Sequence, residues 1–204
     1  MTTRSLFPTL IRSEFLGPGD LAERLEHVCW VLAEDDDAGN AWCADQGYGG
    51  YTSYASLDDL PERFPEFTEL KALLDPMAGA FAADLLWDMQ DLTLQLDAIW
   101  VNILEPGFGH SNHIHPGSVI SGTFYVSIPD GAARLKLEDP RLSRMMAAPQ
   151  LRDHVPEDRQ RFVYLAPEAG QAIMWESWLR HEVPANMGEE PRVSISFNYA
   201  LKRV

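Results

Sequence analysis

The hydrophobic pattern of this chain changes its period once, near residue 91, and that change limits its possible folds more than any other feature. Before it, apolar side chains recur every three or four residues along two stretches, as in amphipathic helices. The first stretch has Leu21, Leu25, Val28, Cys29 and Leu32, and the second has Phe67, Leu70, Leu74, Met77, Phe81 and Leu85. From Leu92 onward, apolar and polar residues alternate, as in a β-strand with one buried face. We therefore expect one domain, 1–204, with a helical N-terminal part at 1–90 and a β-rich part at 91–204.

Short β-like segments continue after the first alternating stretch, which spans residues 92–104. They cover residues 119–128, 134–137, 162–165, 171–175 and 193–201. Turn signals rich in proline and glycine separate these segments. Many short strands preceded by helices predict an α+β, mainly β fold, a sandwich or barrel with N-terminal helices packed against it. Residues 39–54 and 139–161 carry neither pattern, and we expect both to be loops.

The charge balance of the chain excludes several classes of partner. There are 31 acidic and 16 basic residues, which gives a formal net charge of −15. Nucleic acids and anionic membranes require a basic surface, so neither is expected as a partner. No apolar run is long enough for a transmembrane helix, and Pro8, Arg12 and Glu14 interrupt any N-terminal signal sequence. Two cysteines, Cys29 and Cys43, make a poor disulfide framework, so we expect a cytoplasmic protein of undetermined oligomeric state.

Histidines concentrate in one short segment of the β-rich part. His110, His113 and His115 lie within six positions of one another. On an extended strand, His113 and His115 project to the same face, where two neutral imidazoles are natural ligands for a transition metal. The alternative is that both rings are only hydrogen-bonded at the end of a strand. His181 follows another predicted strand, and a barrel that brings the two strands together would complete a three-residue facial triad.

An arginine opens the last alternating segment. Arg192 shares one face of its strand with Ser194, Ser196 and Asn198, while apolar residues occupy the other face. An arginine beside a serine hydroxyl can hold a carboxylate, with the serine adding a hydrogen bond. The alternative is a polar stripe that faces solvent on an exposed sheet. The pattern therefore makes Arg192 and Ser194 candidates for binding an acidic ligand.

Polar residues also interrupt the predicted interior of the barrel. Asn102 is the one strongly polar residue on the face that the strand at 92–104 presents at every second position from Leu92. A buried amide needs a partner, which a bound oxo-acid or a metal-bound water would supply, although a protein partner would serve equally well. Ser121, Thr123, Tyr125 and Ser127 line one face of the following strand. A polar lining of this kind suits a barrel that holds a small anionic ligand.

Five motifs taken in order resemble one enzyme family. They are His113-Ile114-His115-Pro116, Ser121-Gly122-Thr123-Phe124-Tyr125-Val126, Glu138-Asp139-Pro140-Arg141, Ser177-Trp178-Leu179-x-His181-x-Val183 and Arg192-Val193-Ser194-Ile195-Ser196-Phe197-Asn198. Together they resemble the 2OG-Fe(II) oxygenases of bacteria and phage, relatives of the prolyl hydroxylases, over roughly residues 92–201. The resemblance implies a double-stranded β-helix, a jelly-roll or cupin-like barrel.

The resemblance also implies a reaction and the residues that serve it. Iron(II) would be bound by His113, His115 and His181, and the far carboxylate of 2-oxoglutarate would pair with Arg192, assisted by Tyr125. Oxidative decarboxylation of 2-oxoglutarate to succinate would be coupled to oxidation of a C–H bond in a small-molecule or peptide substrate. The metal and its cosubstrate supply the oxidising power, so no separate catalytic side chain is expected.

One departure from the family pattern leaves other ligand sets and other functions open. The prolyl-hydroxylase relatives carry His-x-Asp where this chain has His113-Ile114-His115, so a third histidine replaces a carboxylate. Three neutral ligands leave more positive charge on the metal, which favours an anionic chelator but also admits zinc. Glu138 and Asp139 are the alternatives for a carboxylate ligand, although neither holds the required position. The rival functions are a three-histidine cupin-type metalloenzyme that does not use 2-oxoglutarate, and a non-enzymatic domain that binds a metal or small acid.

Overall fold

The computed structural model describes residues 2–16 and 20–204 and contains two β-sheets with helices on one side. The elements in chain order are β1 (Ile11–Phe15), α1 (Leu21–Asp35), α2 (Asp37–Gln46), β2 (Gly50–Thr52), α3 (Leu60–Arg63), α4 (Pro65–Asp84), β3 (Leu92–Leu104), β4 (His110–His113), β5 (Ile120–Ser127), β6 (Leu135–Glu138), β7 (Phe162–Leu165), β8 (Gln171–Glu176), β9 (His181–Val183) and β10 (Arg192–Arg203). Between β6 and β7 the chain forms loops and two short 3-10 turns, as expected for residues 139–161. No helix of the described ranges is both long enough and apolar enough to cross a membrane.

The two sheets are antiparallel and differ in size. One has six strands in the order β1-β8-β5-β10-β3-β2, and the other has four in the order β4-β9-β6-β7. A small apolar cluster joins them, in which Tyr125 and Trp175 of the larger sheet pack with Leu135 and Leu137 of the smaller one. This arrangement confirms the predicted α+β, mainly β class.

The larger hydrophobic core lies on the other face of the six-stranded sheet, beneath the helices. Leu25 of α1 and Phe67 of α4 are fully buried there, together with Val101, Phe124 and Phe197 of the sheet. The apolar stripes predicted for both helices are the faces that pack onto the strands. Because the helices cover one face of the sheet, the opposite face is left to the smaller sheet and to the polar residues between the two.

A β-bulge in β3 redirects its alternating pattern. In the pairing with β10, Asn198 is opposite Ala98 but Tyr199 is opposite Leu96, so Asp97 is an extra residue. Leu94 and Leu96 therefore pack against the helix-side core, as do Ile99, Val101 and Ile103, although these two sets differ in parity. Trp100 and Asn102 point to the opposite side and line a cavity between the sheets. The sequence pattern predicted a single face from Leu92 to Leu104, and the bulge divides it into two.

The N-terminal part contributes more than helices to the structure. β1 pairs with β8 at one edge of the large sheet, and β2 pairs with β3 at the other edge. The loop expected at residues 39–54 contains most of α2 and all of β2. β2 begins at Gly50, whose φ of +121° and close approach to the Ile103 carbonyl leave no room for a Cβ atom. The boundary near residue 90 between two parts of one domain stays a prediction.

Asp36 joins the first two helices to the chain that follows β2. Its carboxylate accepts hydrogen bonds from the Gly39 N–H (3.0 Å), the Tyr51 hydroxyl (2.9 Å) and the Ser56 hydroxyl (2.5 Å). Burial on its own would raise the pKa of Asp36, but these hydrogen bonds outweigh it and hold the pKa below its ordinary value. Three donors around one carboxylate stabilise the ionised form.

We expect Asp36→Asn to lower the free energy of unfolding by about 1–2 kcal/mol at pH 7, because charge-assisted hydrogen bonds are lost. The pKa of Asp36 is lower in the folded state than in the unfolded one, so its contribution is present above the unfolded pKa of about 4. That contribution is lost as the pH falls through the folded-state pKa. The difference between wild type and variant should therefore shrink in acid, as measured by urea unfolding at a series of pH values. Asp58→Asn, at an exposed position, is the control, and a pH-independent difference at Asp36 would contradict the assignment.

Candidate metal centre

Three histidine side chains converge between the two sheets. One ring nitrogen from each of His113, His115 and His181 lies within 4.8 Å of those of the other two. The antiparallel pairing of β4 with β9 sets His113 directly opposite His181. β4 ends at His113, so His115 lies beyond the strand, where its backbone N–H donates to the Ser177 carbonyl (3.1 Å). The structure thus brings together the three histidines that the sequence singled out.

Backbone carbonyls orient two of these rings. His113 Nδ1 lies 2.7 Å from the Ser111 carbonyl oxygen, and His181 Nδ1 lies 2.9 Å from the Leu179 carbonyl oxygen. A carbonyl oxygen only accepts, so Nδ1 carries the proton in both rings and Nε2 keeps its lone pair. The Nε2 atoms of His115 and His181 are 3.2 Å apart. Two of the three rings therefore present an unprotonated nitrogen to the place where a metal ion would bind.

The surroundings favour the neutral form of the rings. Burial lowers the pKa of His181 to about 3 and that of His115 to about 4, and the neighbouring imidazoles add to the effect. The Trp175 ring packs edge-on against His181, with 4.7 Å between the ring centroids. A neutral imidazole is the form that binds a metal ion, so His115 and His181 need no net loss of a proton to bind one at neutral pH.

No carboxylate of the described residues joins the histidine cluster. Glu138 accepts a hydrogen bond from the Asn112 side chain (3.0 Å), and Asp139 accepts from the Arg141 guanidinium at 2.8 and 2.9 Å. Both acids that the sequence offered as alternative ligands are therefore engaged elsewhere. Three neutral nitrogen donors are a ligand set that suits divalent iron, cobalt, nickel or zinc.

Arg192 is a buried cation beside this cluster. Only 2% of its surface is exposed, and its Nη1 donates to the Ser194 hydroxyl (3.2 Å). The guanidinium carbon lies 5.1 Å from the centroid of the Tyr125 ring. Burial lowers the pKa of Arg192, whereas Tyr125 and Tyr48 oppose that shift, and an arginine stays charged under these conditions.

Two polar atoms at this position lack partners. Within the described ranges, neither Arg192 Nε nor the Tyr125 hydroxyl has a hydrogen-bond partner, and no acidic side chain forms a salt bridge with Arg192. A buried donor without a partner costs free energy, so an acceptor from outside the protein would stabilise both Arg192 Nε and the Tyr125 hydroxyl. A carboxylate is the acceptor that matches a guanidinium best.

One cavity connects the metal centre to the arginine. It is lined by His113, His115, His181, Arg192, Ser194 and Asn102, among others. Tyr125 is fully buried beneath the guanidinium. Asn102 already has protein partners, since Thr52 Oγ1 donates to its Oδ1 (3.1 Å) and its Nδ2 donates to Ser196 Oγ (3.1 Å). The amide needs no ligand to be satisfied, so a contact from Asn102 to the cosubstrate stays a prediction.

His110, which lines this cavity, and its partner Tyr48 were not assigned a role from the sequence. The Tyr48 hydroxyl and His110 Nε2 are 2.7 Å apart, and His110 lines the cavity near Arg192. Burial, followed by the nearby positive charge of Arg192, lowers the pKa of His110 to about 4. His110 stood in the histidine cluster of the sequence, but Tyr48 lies in a stretch expected to be a loop, and no sequence signal connected the two.

A comparison with protein families supplies an independent finding. The model of the family described as "Putative 2OG-Fe(II) oxygenase" matches residues 98–198, close to half of the chain. The matched segment runs from β3 into β10 and includes the three histidines, Tyr125 and Arg192. A comparison with curated proteins gives no match.

Solved structures share the fold at low sequence identity. A Pseudomonas putida prolyl-4-hydroxylase is 17% identical, with 94% of this chain and 88% of that chain covered and a TM-score of 0.57. HygX from Streptomyces hygroscopicus, with nickel and 2-oxoglutarate bound, is 14% identical, with 95% and 82% covered and a TM-score of 0.61. A Trichoplax adhaerens prolyl hydroxylase, in complex with a hypoxia inducible factor peptide fragment, is 14% identical, with 95% and 83% covered and a TM-score of 0.59. These likenesses confirm the predicted double-stranded β-helix.

We expect Arg192→Met to raise the free energy of unfolding of the ligand-free protein by about 1 kcal/mol or more, because it removes a buried charge without an acidic partner. Saturating 2-oxoglutarate should raise the unfolding midpoint of the wild type, since it binds only the folded state, and should leave that of the variant unchanged. Thermal unfolding with and without 2-oxoglutarate measures both effects.

Arg203→Met is the matched control for this experiment. Arg203 ends the same strand, β10, but is exposed, so its loss should change neither the stability of the free protein nor the response to 2-oxoglutarate. An Arg192→Met protein that still responds to 2-oxoglutarate would show that another group binds the carboxylate.

Proposed function

Because residues 98–198 match the model of the 2OG-Fe(II) oxygenase family, we propose that this chain couples decarboxylation of 2-oxoglutarate to oxidation of a C–H bond, with iron(II) bound by His113, His115 and His181. The family match confirms the class of enzyme, the metal and the cosubstrate predicted from the sequence. The observation that carries the assignment of residues is the single cavity in which three convergent imidazoles lie beside a buried, unpaired arginine.

The three histidines have the task of holding the metal. Bound iron(II) would supply the activation of dioxygen and the oxidising power, which no protein side chain provides. Three protein ligands would leave part of the coordination sphere of such an ion free for the cosubstrate. Because all three ligands are neutral, the metal keeps its full double positive charge, which favours the binding of an anionic chelator.

Arg192, Tyr125 and Ser194 have the task of orienting 2-oxoglutarate. Arg192 Nε and the Tyr125 hydroxyl are donors without partners in the described structure, and a carboxylate can accept from both. Ser194 holds the guanidinium from one side through Nη1. The protein has a net charge of −15, so this local positive charge must attract a dianion against the overall field. Asn102 would border the same ligand as part of the cavity wall.

The substrate belongs to the small-molecule or peptide class. The related prolyl hydroxylase from Trichoplax adhaerens was solved with a peptide fragment, and HygX with nickel and 2-oxoglutarate. The net charge of −15 argues against a nucleic acid. A cytoplasmic location is supported by Cys29 and Cys43, which are both buried as free thiols, as is usual in a reducing compartment.

A second candidate function follows from the missing carboxylate ligand. A three-histidine cupin-type metalloenzyme would use the same metal site without 2-oxoglutarate, and the ligand set of the described residues is compatible with it. The unpaired donors at Arg192 favour the first function, because they leave a carboxylate-binding group that the second does not need.

We expect anaerobic addition of iron(II) and then 2-oxoglutarate to give a charge-transfer absorption band, and admission of dioxygen to give succinate. His181→Ala should abolish both, because it removes one of three ligands, whereas His27→Ala should retain both, because His27 is exposed on α1. Absorption spectroscopy and chromatographic measurement of succinate provide the readouts.

The possible results separate the two candidate functions. A metal-loaded protein that forms neither the band nor succinate, and whose activity survives Arg192→Met, would support the cupin-type enzyme. A protein in which His181→Ala binds iron(II) as tightly as the wild type would contradict the assignment of His181 as a ligand.

A further inference from the structure

The three histidines of the metal centre differ in what holds their outer nitrogen. His113 and His181 each bond through Nδ1 to a backbone carbonyl, whose role as acceptor cannot change. His115 Nδ1 faces a side chain instead, the amide of Asn198 at 3.4 Å. An amide presents a donor at one end and an acceptor at the other, so the orientation of His115 depends on which end faces it.

Asn198 belongs to a buried hydrogen-bond network of polar side chains that begins at His115. Its Oδ1 accepts from the Ser121 hydroxyl (2.7 Å), and the Ser121 and Ser177 hydroxyls are 2.8 Å apart. Asn198 is 7% exposed, and Ser121 and Ser177 are each 1% exposed. Solvent therefore cannot replace a lost partner easily, and the direction of each hydrogen bond is determined by its neighbours.

The hydrogen bonds of this network determine which ring nitrogen of His115 carries the proton when no metal is bound. Because Asn198 Oδ1 accepts from Ser121, the Nδ2 end of the amide faces His115 and donates to Nδ1. The proton of the neutral His115 ring is then on Nε2. Nε2 of His181 lies 3.2 Å away and has a free lone pair, so it accepts that proton in a hydrogen bond.

A metal ion reverses these requirements at His115. To bind through Nε2, the ring must give the proton there to water and take one from water at Nδ1, which leaves its charge unchanged. Nδ1–H would then oppose the Nδ2 donor of Asn198. Turning the amide by 180° presents Oδ1 to His115 and Nδ2 to the Ser121 oxygen, and Ser121 then donates to Ser177.

We propose that Asn198 is a positioning residue for the metal centre, whose amide reverses when the metal binds, with Ser121 and Ser177 as rotating hydroxyls. This inference rests on the proposed function, because it takes His115 as a ligand through Nε2. Asparagine serves both states of the ring, whereas an aspartate could only accept and would serve only the metal-bound state. Asn198 thereby performs for His115 what a carbonyl does for the other two ligands.

The position of the proton is directly observable in the wild-type protein. Long-range ¹H–¹⁵N correlation spectra distinguish Nδ1–H from Nε2–H in a neutral histidine ring. Without metal, His115 should show Nε2–H while His113 and His181 show Nδ1–H. With zinc(II), a diamagnetic ion that accepts imidazole ligands, all three should show Nδ1–H. A His115 ring with Nδ1–H in the metal-free protein would overturn the proposal.

Two variants of Asn198 test the consequence for metal affinity. Asn198→Leu removes the partner of His115, and we expect zinc(II) to bind about 10- to 100-fold more weakly, the usual cost of losing such a partner. Asn198→Asp holds Nδ1–H in both states and sets two Nε2 lone pairs against each other without metal. It should bind zinc(II) more tightly than the wild type and unfold at a lower temperature when metal-free. Competition with a chelating dye and thermal unfolding measure the two properties.

Asn186 provides matched controls, because it is another fully buried asparagine whose side chain bonds to backbone atoms at Leu104, Gly188 and Glu190. Asn186→Leu and Asn186→Asp should lower stability without changing zinc(II) affinity. Equal affinities for wild type, Asn198→Leu and Asn198→Asp would overturn the proposal while leaving the proposed function intact. A wild type that binds neither zinc(II) nor anaerobic iron(II) would overturn the proposed function itself. If the variants fail to fold, the wild-type spectra decide alone.

Discussion

The pairing of β10 with two neighbours at once is the constraint on which the structure depends. β10 lies between β3 and β5 in the large sheet, which has the helices on one face and the smaller sheet on the other. The register of these pairings therefore decides which side chains of β10 meet which surroundings. Val193, Ile195 and Phe197 face the helices in the main core. Arg192 and Asn198 consequently face the smaller sheet, one as the buried cation of the cavity and the other as the partner of His115. A shift by one residue would exchange the faces and place arginine in the apolar core.

The site combines two features that would be unfavourable in an ordinary protein interior. One is a buried arginine without an acidic partner, and the other is a group of neutral imidazoles whose nitrogens converge on one another. A bound ligand would stabilise each of them: a carboxylate would pair with the arginine, and a metal cation would bind the lone pairs of the imidazoles. A keto-acid that chelates a metal satisfies both together, which explains why one cavity contains both groups. Their cost in the ligand-free protein is offset by the larger hydrophobic core, which lies on the other face of the six-stranded sheet.

Sequence reasoning succeeded where local periodicity or close spacing carried the information. The stripes of α1 and α4, the longer strands and the proximity of His113 to His115 are of this kind. It missed β1, β2, β4 and β9, because these short strands contain few apolar residues and show no regular apolar pattern, unlike β6 and β7, which are equally short. It also missed the bulge in β3, since the four residues after Asp97 are all apolar and so do not reveal which of them change face. The pairing of Tyr48 with His110 joins residues 62 positions apart, and no local sequence pattern predicts it.

The sequence by itself determined the class of fold and the chemistry of the candidate ligands, because side-chain type and periodicity are properties of the chain alone. Only the tertiary structure decided which polar residues meet. The opposition of His113 and His181 comes from strand register, and the engagement of Asn102 by Thr52 comes from an N-terminal strand that crosses to the edge of the sheet. The amide of Asn198 likewise becomes a partner of His115 only through packing. Hydrogen bonds act over about 3 Å, a distance that separation along the chain cannot specify.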